Sequence, residues 1–242
     1  MLRKRSRLIA APLAAVALSL TVAGYHASAA DSASSGKAAG KAAAACLADA
    51  TTLVGDLDGD GHADKISNPG LSGTEVTIQW GKADGAYGTA RSVAELVGAK
   101  SGEETTAAVA DFDQDGTLDL VVNVVTPSEV DDPNTARIAE YRKGPVERAD
   151  LSSPDARHSD IGDMGEAQEL RVADYGDDAY PDLAVLNNSG DGGLDRSVRL
   201  SGENGPGDFD YDLDQKYGET GTTPEPPAMP TDGWSHFYKA CA

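Results

Sequence analysis

Apolar residues in this chain come in short bursts, not in helical stripes. The segments TTLV (51–54), ADKIS (63–67), TEVTIQW (74–80), AAVA (107–110), LDLVVNVV (118–125), TARIAEY (135–141), LRVA (170–173), DLAVLNN (182–188) and RSVRLSG (196–202) are four to eight residues long. They are rich in Val, Ile and Leu and separated by Gly, Asn, Asp and Pro, which is the pattern of strands. Helix is compatible only with RSVAELVGA (91–99), since nothing else in the body has a helical period of useful length. The bursts recur in groups: an apolar segment, an Asp-rich loop, a second apolar segment, then an alternating run. The loops begin at Asp56, Asp111 and Asp174. Four strands per group over three groups predict an all-β protein of three visible four-stranded blade-like repeats, a partial or small β-propeller. The repeats run over about 48–104, 105–168 and 169–218 within a body at 46–218.

The ends read differently. Arg3, Lys4, Arg5 and Arg7 precede an apolar run from Leu8 to Ala23 and a small-residue cleavage point, so residues 1–30 are expected to be a secretory signal peptide. Residues 31–45 are small and polar, a flexible spacer. Residues 219–233 are Pro- and Thr-rich, an extended connector, and 234–242 turn aromatic again (Trp234, Phe237, Tyr238), a segment expected to dock back onto the body. Cys46 and Cys241 lie at opposite ends of the exported chain and are expected to form a disulfide. In the chain-entropy picture it would favour the folded state by roughly 4–5 kcal/mol.

The first two loops, DLDGDGHAD (56–64) and DFDQDGTLD (111–119), share the form D-x-D-x-D-G-x-x-D. Four like charges within nine residues repel one another, so a positive group should sit among them. A hard cation such as calcium takes six to eight oxygens in a flexible geometry. The expected ligands are Asp56, Asp58, Asp60, the His62 carbonyl and Asp64 in the first loop. Asp111, Asp113, Asp115, the Thr117 carbonyl and Asp119 take those roles in the second, with Gly61 and Gly116 making the turns. An EF-hand is excluded, because its twelfth position needs a bidentate Glu and that position holds Ser67 or Val122. DFDYDLD (208–214) lacks a turn glycine and reads as one solvated face of an outer strand, not a metal site.

The Asp loop between two strands, with the Gly-aromatic-Gly turn GAYG (85–88), resembles the FG-GAP/VCBS repeats of integrin α-chain propellers and of many secreted bacterial proteins. The resemblance covers roughly residues 48–217 and implies one calcium ion per loop, held by the ligands just named. Three departures accompany it. The third loop, DYGDDAYPD (174–182), has Gly176 in place of an Asp and Ala179 in place of the turn glycine, leaving Asp174, Asp178, the Tyr180 carbonyl and Asp182 for a weaker site. The Gly-Ala-Pro half of the family's motif is missing. Closed propellers usually have about four to eight blades, so three repeats leave open an arc, a ring with a cryptic blade, or a homodimer that completes a propeller.

The formal net charge is −20, and −24 once the four positive charges of the leader are removed. Such a surface repels phosphate backbones and anionic lipids, so neither nucleic acid nor membrane insertion of the mature chain is expected. Metal cations, basic partners or neutral sugars suit it. His158 in RHSDIGD (157–163) adjoins Ser159 and Asp160, but adjacent residues cannot assemble a nucleophile–base–orienter geometry, and no G-x-S-x-G elbow occurs. Nothing argues for catalytic residues. The sequence points to a secreted or cell-surface, calcium-stabilised binding or adhesion module with an extracellular carbohydrate or protein ligand, placed on inter-repeat loops such as 125–137 and 145–168. The alternative is an extracellular hydrolase or lyase on the same scaffold.

Overall fold

A computed structural model describes residues 44–68, 75–128, 132–161 and 165–242. The expected leader, and all but the last two residues of the expected spacer, lie outside them. Three antiparallel sheets follow one another along the chain. The first contains β1 (Cys46–Asp49), β2 (Thr52–Gly55), β3 (Asp64–Ser67), β4 (Thr77–Gln79) and β5 (Arg91–Ser92), in that order, and leads into the one-turn helix α1 (Val93–Leu96). The second contains β6 (Glu104–Ala110), β7 (Asp119–Val125), β8 (Ile138–Arg142) and β9 (Ala156–His158). The third contains β10 (Ala167–Ala173), β11 (Asp182–Gly190) and β12 (Gly193–Arg199), followed by the hairpin β13 (Ser201–Gly202)–β14 (Gly205–Pro206), helix α2 (Tyr211–Tyr217) and strand β15 (Glu219–Thr222). Every apolar burst named above overlaps a strand, and the protein is all-β with blade-like sheets.

In the second and third sheets the second strand is the most apolar, for a physical reason. All seven residues of β7 and the first six of β11 are buried, because neighbours cover both faces, and such strands read as continuous apolar runs. Leu53, Ile66 and Ile78 from the first sheet, Leu120 and Val122 from the second, and Leu170 and Val185 from the third share one core cluster. Adjacent sheets are also joined by backbone. Leu118 N–H donates to the Asp56 carbonyl and Val146 N–H to the Leu57 carbonyl, each at 3.0 Å, tying the second repeat to the first Asp loop.

Two expectations are corrected. The alternating acids of 208–214 do not mark a strand. Asp210 caps α2, its carboxylate accepting from the Asp212 and Leu213 amides, while Asp212 and Asp214 occupy the first turn and Lys216 the last, as the helix dipole favours. The connector expected at 219–233 is not wholly extended linker either: Glu219–Thr222 pairs with β12 and supplies the third sheet's fourth strand. The first sheet, for its part, carries the additional strand β1.

The C-terminal segment docks as the aromatic residues suggested. Helix α3 (Gly233–Phe237) packs against β10, where a side chain at Gly233 would overlap the Val172 carbonyl oxygen, so only glycine fits. Trp234 is buried and its Nε1–H donates to the Val109 carbonyl of β6 at 3.0 Å. Further on, Leu47 N–H donates to the Lys239 carbonyl and Cys241 N–H to the Leu47 carbonyl, each at 2.8 Å. The Cys46–Cys241 disulfide closes the same contact. One short segment therefore touches all three sheets.

Glu103 and Arg137 form a close bidentate charged pair outside the Asp loops. Both guanidinium contacts are 2.6 Å, and Arg137 also donates to the Gly98 carbonyl beyond α1. The Arg137 hydrogen bonds, with help from the Lys100 amide, hold the Glu103 carboxyl down at about 2. A lowered folded-state value contributes stability above the unfolded value of 4.5, and that contribution is lost as pH falls through the folded value. Glu103→Gln should therefore be less stable than wild type above pH ~4.5, with the difference shrinking toward pH ~2. Urea titrations across that window measure it, and a constant difference would show that the pair is not responsible.

Candidate metal centres in the Asp loops

Each Asp loop folds on its own carboxylates. In the first, Asp56 accepts from the Gly59 and Gly61 amides at 2.7 and 2.9 Å, Asp58 from Asp60, and Asp60 from His62. The second repeats this pattern: Asp111 accepts from Gly116, Asp113 from Asp115, and Asp115 from Thr117. The third keeps part of it, with Asp174 accepting from Asp177 and Asp178 from Tyr180. The fourth position is left-handed in all three loops (Gly59, Gln114, Asp177). The sixth is left-handed only at Gly61 and Gly116, which is where the third loop has Ala179 and departs from the other two.

The ninth position does something different. Asp64, Asp119 and Asp182 are fully buried at the start of the strand that follows each loop, β3, β7 and β11. One oxygen accepts from the loop: Leu57 N–H to Asp64 and Phe112 N–H to Asp119, both 2.9 Å, and the Tyr175 and Gly176 amides to Asp182 at 2.7 and 2.8 Å. The other accepts from a residue just beyond the next strand (β4, β8 or β12): Gly81 at 2.8 Å, Gly144 at 2.8 Å and Ser201 at 2.9 Å. Gly81 and Gly144 are glycines because a Cβ would overlap the Ala63 and Leu118 carbonyl oxygens. This acid thus braces the loop, the strand after it and the exit of the next strand together.

These charges are held against their solvation preference. Burial pushes Asp64 and Asp111 up to about 6 and Asp119 up to about 7, with neighbouring carboxylates adding to the shift and the amide hydrogen bonds opposing it. Burial raises Asp182 as well. The chain answers part of this charge with its own cations. Lys143 pairs with Asp113, and with Asp115 at 2.9 Å. Arg148 reaches from the second repeat into the first loop, pairing with Asp58, and with Asp60 at 2.5 Å, while its guanidinium lies 5.5 Å from the Trp80 ring centroid. His236 Nε2 lies 2.8 Å from Asp174.

Carboxylate oxygens of Asp56, Asp58 and Asp64 converge in the first loop, and those of Asp111, Asp113 and Asp115 in the second, all within 4.8 Å of one another in each group. Such groups are of the kind that could hold a metal ion. Among the described residues Asp60 and Asp119 fall outside these groups, and no third-loop acids form one. In the second loop Asp111 Oδ1 is buried without a hydrogen-bond partner among the described residues. Sequence reasoning anticipated the acids but missed Lys143, Arg148 and His236, which lie far from the loops along the chain. A glycine just after the alternating run, in WGK (80–82) and KGP (143–145), was the available signal for the ninth-position brace.

Residues 54–122 match the family model described as an FG-GAP-like repeat. The match runs from the end of β2, through the first Asp loop, to the middle of β7, so it includes both loops of the D-x-D-x-D-G-x-x-D form. No curated protein and no solved structure matches the chain.

If the ninth-position acid of the FG-GAP-like loop is a brace, it matters without any cation. Asp182→Ala, in the loop where acids do not cluster, should destabilise the protein in chelator by about 2–4 kcal/mol, because buried amides lose their acceptor. Asp177→Asn, on the exposed turn and tolerant of the same left-handed backbone, should change stability by no more than about 0.5 kcal/mol. Equal effects in urea unfolding would remove the distinction between brace and turn.

Proposed function

We propose that the chain is a secreted, calcium-binding, β-propeller-like repeat protein that acts as a binding or adhesion module. Calcium would sit in the first two Asp loops as part of the scaffold. The observation that carries the reading is the convergence of three carboxylates in each loop, with the buried Asp111 Oδ1 left unpartnered among the described residues. An all-oxygen donor set suits a hard dication of flexible coordination. Asp56, Asp58 and Asp64 would hold it in the first loop and Asp111, Asp113 and Asp115 in the second, with the His62 and Thr117 carbonyls available to complete the shell. The third loop offers fewer acids, and His236 already faces one of them. Secretion is supported by the basic–apolar–small leader in the sequence and by the disulfide, which persists in oxidising compartments. The partner class is an extracellular carbohydrate or protein.

Lys143 and Arg148 give this reading a particular energetic form. They occupy carboxylate oxygens that a dication would share, so each is a tethered competitor for it. They also limit the mutual repulsion of the acids when no dication is bound.

Binding to the folded state alone stabilises by mass action, so millimolar calcium should raise the melting midpoint over chelator, and Asp58→Ala with Asp113→Ala should abolish the rise. A midpoint indifferent to calcium would sink the proposal. Lys143→Met should act with opposite signs: lower stability in chelator, and calcium affinity raised roughly tenfold. Weaker calcium binding by this variant in calorimetry would show that the lysine supports the site instead of competing for it.

A further inference from the structure

A cleft of about 480 Å³ lies between the third sheet and α2, away from the Asp loops. Its floor follows from register. Asn187 faces Asp195 across the β11–β12 ladder, Asp195 faces Thr220 across β12–β15, and Ser197 lies two residues on, so all four belong to one face of the sheet. Phe209, Asp214 and Gln215 form the opposing wall. Helix α2 buries none of its own residues, so between helix and sheet there is a polar gap in place of a core.

Three polar atoms of this gap have no protein partner among the described residues. Asn187 is 7% exposed; its amide nitrogen donates to Ser197 Oγ at 3.3 Å, but its Oδ1 has no partner among the described residues. Asp195 Oδ1 is likewise buried and unpartnered among the described residues, and so is Nε of Arg196, which borders the cleft from the alternate strand position while its terminal nitrogens are held by the Tyr217 and Ala228 carbonyls and by Glu219. Buried polar groups left unpaired each cost about 1–3 kcal/mol, and native proteins carry few of them. Two of these atoms accept and one donates. A cation would satisfy the acceptors only, and an anion would satisfy the arginine only while meeting Asp195, Asp214 and Glu219. A hydroxyl both donates and accepts, so it satisfies both kinds. The cleft is also within the size range of small-molecule sites, about 300–1,000 Å³.

We infer that this cleft is a ligand site of the module and takes a neutral, hydroxyl-rich ligand, in chemical class a carbohydrate. The inference rests on the reading of the chain as a binding module and is independent of where calcium sits. Asn187 and Asp195 accept from ligand hydroxyls, Arg196 donates to one, and Phe209 supplies the apolar wall.

The test is an array of neutral and charged oligosaccharides probed with the mature chain in calcium, followed by calorimetry on the best neutral binder. The expected result is binding of a neutral glycan that weakens roughly tenfold in Asn187→Ala and in Asp195→Ala. Gln215→Ala, at an exposed position on α2, should also weaken it, and its fold is secured by melting at the wild-type midpoint. A glycan bound equally by wild type and all three variants would overturn the cleft assignment and leave the binding module standing. If the array retains only charged glycans or none, while calcium still raises the melting midpoint, the cleft holds water and the inference fails with the calcium reading intact.

Discussion

Three buried carboxylates organise this protein. Asp64, Asp119 and Asp182 each stand at the first residue of a central strand, take an amide from the loop behind them, and take another from the far end of the neighbouring strand. A carboxylate so placed fixes three chain segments by strong, charge-assisted bonds at the point where a strand meets a turn. Everything else in a repeat is built outward from it: the direction of the Asp loop, the register of the two strands that follow, and the glycine that lets the second of them turn away. Its charge sits where water is scarce, which is why burial raises all three acids.

Around each brace the remaining acids of the loop meet a second constraint. They are close enough to repel, yet their geometry is set by the amides they accept. The protein tempers this with Lys143 and Arg148, drawn from the stretch that follows β8, so part of the charge of the first two loops is answered from one short segment of the second repeat. Arg148 thereby crosses from one repeat to another, and Val146 beside it hydrogen-bonds the first loop through backbone. Charge compensation and the packing of adjacent sheets are thus one feature. In the cleft beneath α2 the situation is reversed: there Asn187 Oδ1, Asp195 Oδ1 and Arg196 Nε have no partner among the described residues.

Much of this was legible in the chain and the rest was hidden for definite reasons. The strands were visible because apolar bursts of β-branched residues between turn residues have few other uses, and the repeat register was visible in the loops. The Cys46–Cys241 pairing and the docking of Trp234 were also readable, from an isolated pair of cysteines and from aromatics at an otherwise polar end. The acids of 208–214 misled because alternation serves a strand face and a capped helix start alike; only the position of Asp210 relative to the Asp212 and Leu213 amides separates them. β15 hid inside a Pro- and Thr-rich stretch because an edge strand needs only backbone partners. The basic partners of the loops could not be found by spacing, since Lys143 is 30 positions from Asp113 and Arg148 is 90 from Asp58.

The strip from Gly233 to Cys241 carries a further consequence, for cooperativity. It contacts β6, β10 and β1 together, so it joins elements that otherwise meet only as successive repeats. Opening this strip releases the Trp234 and Leu47 contacts and loosens three sheets at the same moment, so fraying at one short segment is coupled to the packing of all of them. A chain cut before Gly233 would keep the strands of every sheet and lose the clasp across them.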